Sequence, residues 1–474
     1  MTIDSSPVPR RRLTPQHWLL VALLVGLAIR VPALVAAQHT KVPGDQLQYS
    51  AQAIANADGN WFEQPFAPGE PSAEHPPMTS ALLTPITWIV GDGNFILAQR
   101  LTVVAFGMAN IVLLWLLGRR HSPQLGSLLA LLGAVDVRLF LSDVLILSET
   151  FGVTLITLTL FVLWPGQARQ AGQPDQRSRP GQAGSLVQRG RLCVVGVLLG
   201  LLVLTRAELL FVIPLVSAWL WWQHPQRRRW NSLASAILPA LVAAAVLAPW
   251  IGWNLLRFEA RTTLSTNDGF TLLGANCADT YYGDNIGGYS INCALAVTGE
   301  AGMDASEVSA LRRETATVYA GDHLTRLPIV AAARFARQWE IGWVGRTAAD
   351  SPAEGRPEEL VLLGTAQWWL LGALAVVGAR RCGRPLLALM LITPLVVTFA
   401  AVSVNAQWRL RVAVEPPLLV LAGIGMLALM GRRAAALGDG APGSADGVDG
   451  VDVVAADAGV AALGEHQPLV HPDR

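Results

Sequence analysis

Apolar runs of roughly 20 residues, the length a helix needs to cross a bilayer, recur along this chain, separated by short segments in which arginines cluster. The first run, Trp18 to Ala37, follows Arg10, Arg11 and Arg12, and predicts an uncleaved first span with its N-terminus in the cytoplasm. Met78 to Val90 is too short to span, so it predicts a juxtamembrane helix. Omitting it from the count leaves Arg119 and Arg120 on the cytoplasmic side, as the positive-inside rule prefers. Ala98 to Leu117 is the second predicted span. Leu125 to Trp164 holds two more, with Asp136, Arg138, Asp143 and Glu149 at the turn between them. Leu192 to Trp222 adds spans five and six around Thr205-Arg206-Ala207-Glu208. Leu233 to Trp253, Leu360 to Ala379, Pro385 to Val404 and Val412 to Met430 complete ten.

This pattern predicts an all-α polytopic membrane protein with about ten transmembrane helices. Residues 1–17 form a cytoplasmic tail, 18–430 the transmembrane domain, and 431–474, rich in Gly, Ala and Asp, a disordered cytoplasmic tail. Two loops fall on the outer side, about 38–97 and 254–359. The arginine-bearing stretch Pro165 to Arg191, the triplet Arg227 to Arg229, and the pairs Arg380-Arg381 and Arg432-Arg433 all fall inside. No internal repeat suggests the inverted halves of a transporter.

Composition strengthens this picture. Of 474 residues 52% are hydrophobic and only 15% charged, with a mean hydropathy of +0.41. A soluble enzyme, a disordered scaffold and a disulfide-rich secreted module are excluded. Net charge is +1, so no global field argues for a nucleic-acid partner. Cys193 and Cys382 lie near cytoplasmic helix ends, whereas Cys277 and Cys293 share the large outer loop, where they either form a disulfide or remain two thiols.

Expensive polar residues gather on the outer side: Asp45, Glu74, His75, Asp143, Glu149, Arg206 and Glu208. That one-sidedness favours chemistry at the outer surface over a conduction path. Asp45 follows a Pro-Gly turn and is either a reactive carboxylate or the N-cap of a short interfacial helix. Glu74-His75-Pro76-Pro77 is either a binding turn or a rigid solvated one. Arg206 and Glu208 face the outer cavity or serve as structural partners of Glu149 or Asp143. Arg334 and Arg337 lie three apart on an amphipathic helix, as phosphate ligands or as residues snorkelling to lipid. Arg409 and Arg411 oppose the positive-inside trend, which marks them as phosphate candidates.

In order along the chain, Gly44-Asp45, His75-Pro76-Pro77, Leu147-Ser148-Glu149 and Leu204-Thr205-Arg206-Ala207-Glu208 resemble the GT-C membrane glycosyltransferases. Pro249-Trp250 to Asn254, Leu264 to Gly269, and Asn405 to Pro416 add to the likeness. The resemblance runs over about residues 15–430 and is strongest to the protein mannosyltransferase-like and aminoarabinose transferase-like group, glycosyltransferase family 39. It implies that Asp45 is the general base on an acceptor hydroxyl and that Glu74 and His75 hold the acceptor or a divalent metal beside Asp45. Many relatives carry an acid directly after the aspartate, where this chain has Gln46.

The function so implied is transfer of a sugar, with inversion, from a polyprenyl-phosphate donor to a glycan, protein or lipid acceptor at the outer face of the plasma membrane. Arg206, Arg334, Arg337, Arg409 and Arg411 are the cations available to the phosphate, with Glu74, His75, Glu149 and Glu208 as further substrate-binding residues. No Gly-rich nucleotide loop is present. The rival expectations are a lipid-linked sugar flippase, which needs ionisable groups at mid-membrane, and a non-catalytic subunit that keeps the fold.

Overall fold

The computed structural model describes residues 14–91, 93–164, 182–224 and 230–438. The arginines of the N-terminal tail, most of the predicted cytoplasmic loop after Trp164, the Arg227 to Arg229 triplet and the tail beyond 438 lie outside the described residues. Among the described residues there is no sheet, only an isolated bridge between Glu63 and Pro71.

The first half of the chain forms α1 (Pro15–Gln38), α2 (Asp45–Ala57), α3 (Met78–Val90), α4 (Phe95–Arg119), α5 (Pro123–Val135), α6 (Val137–Asp143), α7 (Glu149–Leu163), α8 (Gln182–Thr205), α9 (Val212–Gln223) and α10 (Trp230–Arg257). A region of shorter helices follows: α11 (Asp268–Ala275), α12 (Ala278–Tyr281), α13 (Ile291–Ala296), α14 (Ala305–Asp322), α15 (Leu327–Gln338) and α16 (Val344–Asp350). The last three are α17 (Glu358–Ala379), α18 (Arg384–Ser403) and α19 (Glu415–Gly438). By contacts the chain divides into Met1–Met430 and Gly431–Arg474.

Among the described residues seven helices are long and apolar enough to cross a membrane, or eight if the bent pair α5–α6 counts as one span. Predicted spans four and six correspond to the shorter apolar helices Glu149–Leu163 and Ala207–Gln223. The 15 residues of α7 rise about 22 Å, less than the ~30 Å of a hydrocarbon core. Predicted span five begins earlier than expected, because α8 starts at Gln182, within the stretch expected to be a loop.

Asp136 and Arg138 lie at the break between α5 and α6, Asp143 and Glu149 flank the turn before α7, and all four are buried. Asp136 accepts hydrogen bonds from the Arg138 and Leu139 backbone N–H groups and so caps α6. That new start bends the chain by 60° between α5 and α6. Asp143 meets Arg30 of α1 at 2.7 Å, and Arg138 meets Glu340 at 2.5 Å, so these two buried charges have opposite partners.

Helices α17 and α19 cross with their backbones in contact. A Cβ added at Gly378 would lie 1.9 Å from the Leu421 carbonyl oxygen, and one at Gly425 would lie 2.0 Å from that of Leu374, the close approach that small residues permit. At the end of α10, Arg257 donates to the carbonyls of Phe62 and Ser72 while its guanidinium lies 3.9 Å from the Trp253 ring centroid. These contacts tie the segment between α2 and α3 to the bundle. The structure joins Cys277 and Cys293 in a disulfide across the loop that holds α12.

Candidate active site

A cavity of about 1210 Å³ lies among the start of α2, the turn before α3, the start of α7 and the disulfide-closed loop. Asp45, Glu74, His75, Glu149, Arg206, Glu208, Arg337 and Arg409 of the sequence candidates line it, whereas Arg334 and Arg411 do not.

Asp45 is the first residue of α2, and the cap position belongs to Gly44, whose φ of +53° reverses the chain there. The carboxylate makes no capping bond. Instead its Oδ2 accepts from Nη2 of Arg409 at 2.6 Å, and its Oδ1 lies 3.7 Å from Nε2 of His75. The carboxylate is 30% exposed and the guanidinium 18%, so the pair faces the cavity rather than the core. Burial alone would raise the Asp45 pKa, but Arg409 first and His75 next hold it well below the usual carboxylate range. For Glu74 burial wins, with the Asp45 charge adding to it against His75, and its carboxyl titrates above the ordinary value. The His75 ring stacks on Tyr49 at 4.6 Å between centroids, which fixes the imidazole beside Asp45.

From Asp45 an alternating series of charges runs around the wall. Nε of Arg409 lies 4.0 Å from Glu354, and Glu354 accepts from Arg356. Arg356 lies 3.9 Å from Glu149, Glu149 lies 3.6 Å from Arg206, and Arg206 binds Glu208 at 2.7 Å. Arg206 and Glu208, two apart in sequence, do meet, because the chain leaves helical geometry at Arg206, which is extended (φ −145°, ψ 104°). Glu354 and Arg356 escaped the sequence argument: they sit in a predicted loop without a motif of their own.

Gln46 explains itself. Its Nε2 donates to the Glu354 carbonyl at 3.1 Å, and its Oε1 accepts the Ile146 backbone N–H at 3.2 Å. A carboxylate at this position could not donate to the carbonyl, so the amide joins the two walls that a second acid would push apart.

The remaining arginine candidates are held by protein groups. Arg411 is fully buried, bonded to Glu340 at 2.8 Å and packed 3.9 Å from the Trp368 ring centroid. Arg409 and Arg411 share the 3-10 segment Trp408–Val414, and at three residues per turn, positions two apart leave on different sides. Arg334 donates to the carbonyls of Ala275 and Val402, pinning α15 to α11 and α18. Arg337 touches the cavity but donates to the carbonyls of Asp284 and Ile286.

Among the described residues no three His, Cys, Asp or Glu side chains gather as a metal-ligand set; of the residues named for a divalent metal, His75 faces Oδ1 of Asp45, while Oδ2 is taken by Arg409.

No protein-family model matches the chain, and no curated protein does. Solved structures do. The Archaeoglobus fulgidus oligosaccharyltransferase, tethered with an acceptor peptide containing the NVT sequon, matches at TM-score 0.55 and 13% identity, over 89% of this chain and 50% of that one. The oligosaccharyltransferase AglB of the same organism, in complex with an inhibitory peptide and a dolichol-phosphate, matches at 0.54 and 12%, over 91% and 52%. ArnT from Cupriavidus metallidurans aligns at 15% identity over 86% and 77%, with a TM-score of 0.38 that is too low to carry an argument. This chain spans about half the length of the two oligosaccharyltransferase chains. At these identities the likeness is one of fold, and the chain is a polytopic helical protein with the fold of the GT-C glycosyltransferases.

Proposed function

We propose that the protein transfers a sugar from a polyprenyl-phosphate donor to an acceptor hydroxyl, with Asp45 as general base, in the manner of the family 39 group of GT-C enzymes. The observation that carries this reading is the Asp45–Arg409 pair at the wall of a cavity in a GT-C fold. One fold neighbour is a glycan transferase in complex with a dolichol-phosphate, which is the chemistry of the proposed leaving group.

A sugar hydroxyl is a poor nucleophile, so a carboxylate must take its proton as the new bond forms. The acceptor proton goes to Asp45, the acceptor oxygen bonds to the anomeric carbon, and the bond from that carbon to the phosphate oxygen breaks. The electron pair leaves with the phosphate, and attack from the opposite face inverts the centre. The departing anion needs positive charge, which Arg409 supplies, with Arg206 behind it. Glu74, uncharged more readily than an ordinary carboxyl, offers a donor to a polar acceptor. In this reading the cavity faces the outer side of the plasma membrane, with both termini inside, and the arginine distribution along the sequence supports it. A flippase would need ionisable groups open to a path at mid-depth; Arg30 and Asp143 instead close on each other.

Transfer is measured in membranes containing wild type or Asp45→Asn at matched protein levels, with labelled polyprenyl-phosphate sugars and cell-envelope acceptors. Loss of at least about 100-fold in the variant is expected. Unchanged transfer by Asp45→Asn removes the mechanism, and absence of transfer by wild type from every donor tried favours the flippase or subunit.

A further inference from the structure

A carboxylate locked to a guanidinium is ionised, yet it is a weak proton acceptor, because taking up a proton would cost the pair its attraction. In the resting site Asp45 is in that position: Arg409 holds Oδ2 at 2.6 Å and keeps its pKa well below the usual range. The group proposed to act as base is therefore restrained by the cation proposed to receive the leaving group.

Resting on the transfer reaction above, we propose that Arg409 exchanges partners, holding Asp45 until the phosphate of an arriving donor draws the guanidinium away and frees the carboxylate to accept the acceptor proton. Three observations carry it. The pair is partly exposed to the cavity, so an anion there can compete for the guanidinium. The other arginines of the wall have partners away from Asp45: Arg206 lies between Glu149 and Glu208 and also donates to Ser148, Arg337 is held by two backbone carbonyls, and the more exposed Arg313 and Arg346 pair with Asp268 and Asp350. The backbone beneath Arg409 is anchored separately, because Arg411 on the same 3-10 segment is buried against Glu340. The Arg409 Nε donates to Gln407 Oε1 at 2.8 Å on the same segment, so the exchange moves the Nη end from Asp45 to the phosphate while Nε and the segment stay in place. The exchange imposes an order: the donor binds before the acceptor can be deprotonated.

The test is a double-mutant cycle on binding, which needs no turnover. A short-chain polyprenyl monophosphate is titrated into the full-length protein in nanodiscs, for wild type, Asp45→Asn, Arg409→Gln and the double variant. Under exchange Asp45 competes with phosphate through Arg409. Asp45→Asn therefore tightens binding about tenfold, Arg409→Gln weakens it about tenfold or more, and adding Asp45→Asn to Arg409→Gln changes it less than about twofold. Equal tightening by Asp45→Asn in both backgrounds means simple repulsion between Asp45 and the ligand and overturns the proposal, as does no tightening in either. Wild type that binds no lipid phosphate removes the transfer reading itself. Inorganic phosphate as a second titrant separates the sources. The same cycle with the free ion assigns the exchange to the phosphate group alone, and a cycle with the lipid only assigns it to the lipid-linked form; either supports it. Should Arg409→Gln fail to fold, infrared difference spectra decide. The carboxylate band that Asp45→Asn abolishes shifts when phosphate is added to wild type, and an unshifted band overturns the exchange.

Discussion

Arg409 and Arg411 are one residue type, two positions apart, and they do opposite things. Sequence marked both, because two arginines on the outer side break the charge rule, but the pattern contains nothing about which side of a 3-10 turn each leaves from. The contrast is visible only in exposure: 18% for Arg409 against full burial for Arg411. Glu74 yields a prediction at the same scale. Its carboxyl is raised above the ordinary value, chiefly by burial, so its contribution to stability is complete below the unfolded-state value and is lost as the pH rises through the raised one. Glu74→Gln mimics the protonated form. The variant is expected to melt slightly higher than wild type at about pH 8, by on the order of 1 °C, and to match it near pH 4. A variant less stable than wild type at the higher pH would mean that the ionised carboxylate has a favourable partner.

Element boundaries were legible where hydropathy sets them. α3 spans Met78–Val90 as its apolar run does, and α17 and α18 start within two residues of their runs. Legibility failed at α5 and α6, where Asp136 and Arg138 look like turn residues. Asp136 instead caps a second helix inside the bundle, and the Arg138 charge is matched by residues far along the chain, Glu340 among them. A local pattern cannot contain a partner 202 positions away. The crossing of α17 and α19 belongs to this scale too. Gly425→Val would push a side chain into the Leu374 carbonyl, and a destabilisation of about 3 kcal/mol is expected, read as an earlier thermal transition in detergent. An unchanged transition would show that the two helices can separate freely. The loop closed by Cys277 and Cys293 predicts a more local effect. In the chain-entropy model its closure is worth about 3 kcal/mol, so Cys277→Ser with Cys293→Ser should expose residues 277–293 to protease and raise the KM for acceptor. The thermal transition of the bundle should stay where it is; a shift as large as that of Gly425→Val would make the loop part of the core.

At the scale of the molecule, the fold class followed from hydropathy and arginine placement alone, since a chain this apolar has few architectures open to it. The cavity did not. Its walls come from the starts of α2 and α7, the turn before α3, the disulfide loop and the approach to α19, and only tertiary packing brings residues 45, 354 and 409 together. Eight of the ten catalytic and substrate-binding candidates line it. The two that do not are buried arginines whose partners are backbone carbonyls, an asparagine or a distant carboxylate.

The division of labour along Trp408–Val414 has a consequence for how such a protein can change over time. Because Arg411 anchors the segment from its buried side while Arg409 faces the cavity, the cavity-wall neighbours of Arg409 can vary without loosening the segment that presents it. Change in what the cavity accepts is thereby uncoupled from the risk of unfolding. A lineage could alter those neighbours, while drift at 411 would be purged regardless of what the cavity holds.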